Sequence, residues 1–204
     1  EALLWQLAIL SRLPVTKTEH IALPGATPDE RRVLLRADVR HAAGVVSLYC
    51  THLNYRLTHG LIREAQVEAI DAWISACTAA APERPLLSLL LGDFNATPDS
   101  DEIRFLTGRH TLAGRRTYYQ DAFARLHPQD PGYTWARKNP FTERLGWLDP
   151  DRRLDYAFVS PETRDGRGRV HEARIVFDEP DAAGAHASDH YGLLVEVQAA
   201  PRRP

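Results

Sequence analysis

The chain contains no methionine, position 1 included. A sequence opening on Glu1-Ala2-Leu3-Leu4-Trp5 does not begin at a translation start, so it is expected to be a fragment, a processed product or the output of a truncated reading frame. No basic stretch precedes these first apolar residues, so no secretion signal is visible and no compartment can be assigned. No apolar run is long enough to span a membrane; the longest, around Leu86–Leu91 and Val45–Cys50, are strand-sized. Cysteine is nearly absent. Cys50 and Cys77 stand alone, too few and too isolated for a disulfide scaffold or a zinc site, and buried free thiols are expected. Lysine is nearly absent too: of 25 basic residues only Lys17 and Lys138 are lysines. Arginine suits planar contacts to phosphate, although genomic base composition explains the bias more simply. A net charge of −2, with no basic run longer than a pair, argues against a protein built to coat nucleic acid.

What is present fits one globular domain. The 204 residues are 44% hydrophobic and 25% charged, enough to bury a sizeable core. Val33–Arg40 and Val45–Cys50 are β-rich runs separated by His41-Ala42-Ala43-Gly44, a hairpin pattern. From Leu61 to Cys77, Leu61, Ile62, Ala65, Ala69, Ile70, Trp73, Ile74 and Cys77 recur at helical spacing, and Pro82 and Pro85 close the segment. Leu86–Leu91 reads as a strand covered on both faces. Short helices are expected at Glu102–Leu106, with acidic residues at its positive end, and at Asp121–Leu126. Gly132 to Asp151 is irregular, and strands are expected at Leu154–Val159, Glu172–Phe177 and Tyr191–Val197. Helices mixed with strands, and strands late in the chain, indicate an α/β sandwich.

Four polar clusters fall at the ends of these strands: Thr51-His52-Leu53-Asn54, Gly92-Asp93-Phe94-Asn95-Ala96-Thr97-Pro98, Arg153-Leu154-Asp155-Tyr156 and Ser188-Asp189-His190. Loops on a rigid scaffold are where function usually sits. Each cluster has a structural explanation of its own. His52 could be a satisfied histidine at a strand end, Asp93 and Asn95 turn formers, Asp155 an ion-pair partner of Arg152 or Arg153, and Asp189 and His190 a loop cap. Together they supply two histidines, three carboxylates and an amide. That set can provide a base for water, neutralisation of phosphoryl oxygens and help for a departing oxygen, the needs of metal-assisted phosphate-ester hydrolysis. An unrelated β-sandwich whose clusters are only turn chemistry would leave His52, Asp93, Asp155 and His190 scattered.

In these motifs the sequence resembles the endonuclease/exonuclease/phosphatase superfamily of DNase I-like hydrolases. The resemblance begins at Leu7-Ala8-Ile9-Leu10-Ser11-Arg12-Leu13-Pro14, where Ala8–Pro14 is similar to the family's ILSR-x-P strand and turn, and runs through GDFN–TP and R-x-DY to the terminal SDH. It implies an α/β fold, a DNase I-like four-layer α-β-β-α sandwich, here lacking its N-terminal strands. Residues 1–199 would be the C-terminal portion of one such domain and 200–204 a tail. The resemblance casts His190 as the group that activates water and Asp155 as the carboxylate that orients it. It casts His52 and Asn95 as groups holding the phosphate, and Asp93 as positioning the nucleophile or assisting the leaving oxygen. Asp189, Asp93 and Asn95 would meet the metal, Mg2+ (or Mn2+), since hard oxygen ligands suit it.

The implied substrate is a phosphate ester: a lipid head group, a nucleic acid or an inositol phosphate. Tyr133-Thr134-Trp135, Arg137-Lys138-Asn139-Pro140-Phe141 and Arg152-Arg153 fall where family members keep a substrate-facing loop, and the Asn-Pro-aromatic stretch is similar to sphingomyelinase-like branches. No obligate protein partner is evident. The family also carries an Asn strand and a Gln-Glu strand upstream of the ILSR strand, the Glu being its principal metal ligand, and the sequence starts after both. A weakly active, marginally folded chain is therefore expected, the alternative being a remnant that binds without catalysing.

Overall fold

The computed structural model describes residues 7–26, 30–142 and 150–201. Its backbone is a six-stranded sheet in the order β1-β2-β3-β4-β6-β5, faced by a two-stranded sheet of β7 and β8. The strands are β1 (Val15–Ala22), β2 (Val33–His41), β3 (Gly44–His52), β4 (Leu87–Asp93), β5 (Gln120–Asp121), β6 (Asp155–Val159), β7 (Val170–Val176) and β8 (Gly192–Val197). Three α-helices accompany them among the described residues: α1 (Gly60–Ala80), α2 (Asp101–Leu106) and α3 (Ala122–Leu126). None is long and apolar enough to cross a membrane.

The hairpin forms as its pattern demands. His41 pairs with Gly44 across Ala42-Ala43, and the ladder runs back to Leu34 opposite Thr51. β4 then lies parallel to β3, an arrangement that needs a long crossover, and α1 supplies it. The apolar run of β4 is two-faced. Leu90 joins Tyr49, Phe94, Tyr156 and Phe158 in a core beneath α1 and α2, whereas Leu89 and Leu91 face Ala157, Val159, Val170 and Ala173 beneath the two-stranded sheet. One core of the large sheet thus carries α1 and α2, and the other carries β7, β8 and α3. Each of the large buried side chains contributes on the order of 1.5–3 kcal/mol by leaving water.

Three expectations change. Ala8–Pro14 forms no strand among the described residues: only the Pro14 carbonyl is tied to the sheet, accepting the Arg40 N–H at 2.9 Å, and Leu10 is 95% exposed. The turn half of the expectation holds, because Leu13 N–H donates to Ser11 Oγ at 3.0 Å. The first strand instead is β1, which follows and zips antiparallel onto β2. On α1 the buried stripe is Arg63, Gln66, Val67, Ile70, Asp71 and Ile74, rotated from the apolar stripe in the sequence, and Leu61 is 81% exposed. Polar residues take the inner face because loops there need partners. Gln66 Nε2 donates to Asn54 Oδ1 at 2.6 Å, and Arg63 Nε donates to Glu102 at 2.8 Å and Nη1 to the carbonyls of Asn54 and Arg56. The cysteines are free, as expected, but half-buried.

Candidate active site

Sheet register builds half of the site. β3 and β4 run parallel with His52 opposite Asp93, and β4 and β6 run antiparallel with Asp93 opposite Asp155. His52, Asp93 and Asp155 therefore form one row across three adjacent strands, at the carboxyl ends of the parallel pair. Open α/β sheets commonly bind ligands at that edge. Gly92 makes the row possible. Its φ is +141°, and a Cβ there would lie 1.9 Å from the Thr51 carbonyl oxygen. Only a glycine lets β4 approach β3 this closely just before the aspartate.

Beyond Asp93 the chain turns sharply. Asn95 has a φ of +48°, a conformation that Asn tolerates better than most residues. Its N–H donates to Asp93 Oδ1 at 2.7 Å, and its Nδ2 donates to Leu53 O at 3.1 Å and Asp93 Oδ2 at 3.2 Å. Phe94, fully buried, packs edge-on against Tyr156 and Phe158 and pins the turn from below.

His190 arrives from a loop. Its Nδ1–H donates to Asp155 Oδ2 at 2.8 Å, the one assignment a carboxylate acceptor allows, and its Nε2 lies 4.0 Å from Asp93 Oδ2. His52 Nε2 approaches the same Asp93 oxygen from the other side at 3.3 Å. His52, Asp93, Asn95, Asp155 and His190 thus converge, which excludes the scattered arrangement. Asp189 does not join them: it is exposed and accepts from Ser188 Oγ at 3.1 Å. Asp93, Asp155 and His190 offer ligand atoms all within 4.8 Å of one another, close enough to share a cation.

The two imidazoles are driven in opposite directions. Burial first, then the charge of Arg32, lowers the His52 pKa to about 4, so that ring is neutral at pH 7. Burial would lower His190 as well, but the hydrogen bond and charge of Asp155, with Asp93 and Asp189 adding, raise it to about 9. Burial and the neighbouring Asp155 push the Asp93 carboxyl well above the ordinary carboxylate range. Two carboxylates this close together suit a divalent cation, whose binding would displace these protons.

Several supporting residues were not visible as such in the sequence. Arg153, set beside Asp155 in the R-x-DY cluster, does not pair with it: its Nη1 donates to both oxygens of Asp121 at 2.8 Å while the guanidinium lies over Phe123 and Tyr156. Tyr156 Oη donates to the Ala96 carbonyl at 2.8 Å, tying that strand to the turn after Asn95. Arg32 is buried at the foot of β2, its Nη2 2.6 Å from Glu30, and only its position beside another arginine hinted at it. Within the 133–142 loop, Thr134, Trp135 and Asn139 are buried, whereas Tyr133, Arg137 and Phe141 are exposed. Residues 143–149 lie outside the described residues, and with them most of the second half of the Gly132–Asp151 segment.

The fold is similar to those of solved proteins. A D. rerio TDP2 complexed with single-strand DNA product superposes with a TM-score of 0.70 at 22% identity, over 90% of this chain and 68% of that one. Truncated Caenorhabditis elegans TDP2 gives 0.65 at 18%, over 89% and 64%. The human Nocturnin catalytic domain with bound sulfate gives 0.61 at 18%, over 92% and 61%. The chain spans about two-thirds or less of the length of these structures. No curated protein matches it. Residues 5–190 match the sequence profile of the Endonuclease/Exonuclease/phosphatase family, and the chain belongs to that family.

Proposed function

We propose that this site hydrolyses phosphate esters with the help of a divalent metal ion, water being activated by His190 under the control of Asp155. The observation that carries the reading is the 2.8 Å contact of His190 Nδ1 with Asp155, beside a carboxylate and opposite a neutral imidazole. Asp155 fixes the ring so that Nε2 faces the site and, in the deprotonated ring, can take a proton from water. His52, uncharged, can donate an N–H to a phosphoryl oxygen without repelling the cation. Asn95 spends its amide nitrogen on Leu53 and Asp93, which leaves its carbonyl oxygen to meet an ion. Two uses of His190 compete: as a metal ligand its Nε2 could not be a base. We therefore place the ion on Asp93 and Asn95, near Asp155, rather than on His190. Mg2+ or Mn2+ would there neutralise phosphoryl oxygens and the developing charge.

The substrate reading follows the likeness to a TDP2 that holds single-strand DNA. Nucleic-acid 5′ or 3′ ends come first, with lipid head groups and inositol phosphates as the alternatives. The net charge of −2 favours contact at a strand end over extended backbone binding. The test is calorimetric titration of the chain with Mn2+, run beside turnover of a short single-stranded DNA, sphingomyelin and an inositol polyphosphate. Binding abolished by Asp93→Asn, with Mg-dependent turnover of one substrate, supports the reading. Equal Mn2+ binding by Asp93→Asn overturns the metal assignment, and metal-independent turnover overturns the mechanism.

A further inference from the structure

The strand-borne Asp155 and the loop-borne His190 lie 35 positions apart, yet one residue touches the backbone beside both. Thr134 is fully buried. Its Oγ accepts N–H bonds from Leu154 at 3.0 Å and from Asp155 itself at 3.1 Å. Two donors on one hydroxyl oxygen use both its lone pairs. Its carbonyl accepts the N–H of Tyr191, the residue after His190, at 2.6 Å, and its own N–H donates to the Arg152 carbonyl at 3.0 Å. The same loop grips the other side of His190, where Asn139 Nδ2 donates to the Ser188 carbonyl at 2.8 Å. Asn139 is held in turn by the N–H of Phe141 and through Thr142, whose hydroxyl donates to the Ala136 and Asn139 carbonyls.

We propose that Thr134 is the positioning residue of the His190–Asp155 pair. Its hydroxyl fixes where Asp155 leaves the irregular segment and enters β6, and its carbonyl fixes where His190 gives way to β8. The distance between the two functional groups is thereby set by a single residue that touches neither of them. This inference rests on reading the pair as base and orienter. Losing the hydroxyl would strand two buried N–H groups and let the start of β6 shift. Shifts of a few tenths of an ångström there lengthen a 2.8 Å hydrogen bond appreciably.

The test uses the full chain, metal-free, with 15N-labelled histidine. The His190 Nδ1 proton, shielded from exchange by Asp155, should give a downfield NMR resonance in the wild type. Thr134→Val keeps the volume and removes the acceptor, so the resonance should vanish or move upfield. Thr134→Ser keeps the oxygen and should restore it, even where thermal stability falls through the lost methyl. Should Thr134→Val fail to fold, Thr134→Cys, a weaker acceptor, should move the resonance in the same direction. An unchanged resonance in a folded Val or Cys variant overturns the proposal and leaves Thr134 a packing residue. A wild-type chain that shows the resonance but turns over no substrate contradicts the proposed function and leaves the positioning role standing.

Discussion

The site is assembled from two halves that are held in different ways. His52, Asp93 and Asp155 belong to neighbouring strands, and their spacing is that of a β-ladder with backbone hydrogen bonds on both sides. His190 sits on a loop, 25% exposed, and keeps its place through Ser188, Asp155 and the loop around Thr134 and Asn139. The first half can be disturbed only by disturbing the sheet. The second can be dislocated while the sheet survives. Damage to the strand-borne half should therefore appear as lost stability, and damage to the loop-borne half as lost chemistry in a folded protein.

The sharpest way to break the comparison is Gly92→Ala. The new Cβ would meet the Thr51 carbonyl at 1.9 Å, at a φ of +141° that side chains rarely adopt. Strain and overpacking together should cost about 4 kcal/mol or more, and thermal denaturation should show a chain largely unfolded. A Gly92→Ala protein that melts within a few degrees of the wild type would mean that the ladder does not fix the row. Next comes Arg153→Met, which leaves Asp121 charged and buried without its partner. Breaking a buried pair in this way should cost about 3 kcal/mol or more. Asp121 also accepts the N–H of Ala124 at the start of α3, so the melting transition should fall together with helical circular dichroism.

How much of this could be read beforehand depended on whether a pattern was local. The hairpin, the buried strand after Pro85 and the clusters at strand ends follow from alternation and turn chemistry within a few residues of one another, and the structure keeps them. β1 was missed because VTKTEHIA alternates polar and apolar residues only weakly, so its strand character comes from the ladder it forms with β2. The inner face of α1 was misjudged because hydrophobic spacing is blind to Arg63 and Gln66, which are buried by partners on distant loops. The same blindness hid Asp121 as the partner of Arg153. Asp189 is marked as a metal-site carboxylate only by its place in the SDH triplet, and here its Oδ1 accepts from Ser188 Oγ. No local signal marks Thr134 as a brace, because its partners lie at least 18 residues away along the chain.

Within the loop-borne half, His190→Ala should lower the melting temperature far less than Gly92→Ala, since the residue is partly exposed and gives up one side-chain hydrogen bond. It should reduce phosphate-ester turnover by about 100-fold or more, the usual share of a general base. A His190→Ala protein that has lost as much stability as activity would erase the distinction between the halves.

The smallest effect is a pH dependence, and it separates the two imidazoles. In the metal-free chain His190 has its pKa raised from 6.5 to about 9, so the stabilisation it gains from Asp155 is complete below about 6.5 and is lost as pH rises through 9. Above neutrality no other histidine of the site titrates, and denaturant unfolding between pH 7 and 9.5 should show stability falling. In Asp155→Asn that slope should flatten, because the carboxylate that raises the pKa is gone. On the acid side the contributions oppose one another. His52, lowered to about 4, makes stability fall as pH drops below 6.5, whereas Asp93, raised by burial, makes it rise over the same descent. The acid limb should therefore be shallow in the wild type and steeper in Asp93→Asn, where only the imidazole remains to titrate. A divalent ion bound at Asp93 would drive protons off both Asp93 and His190, so saturating Mn2+ should move the alkaline loss to lower pH, and an alkaline limb unmoved by Mn2+ would place the ion away from this pair.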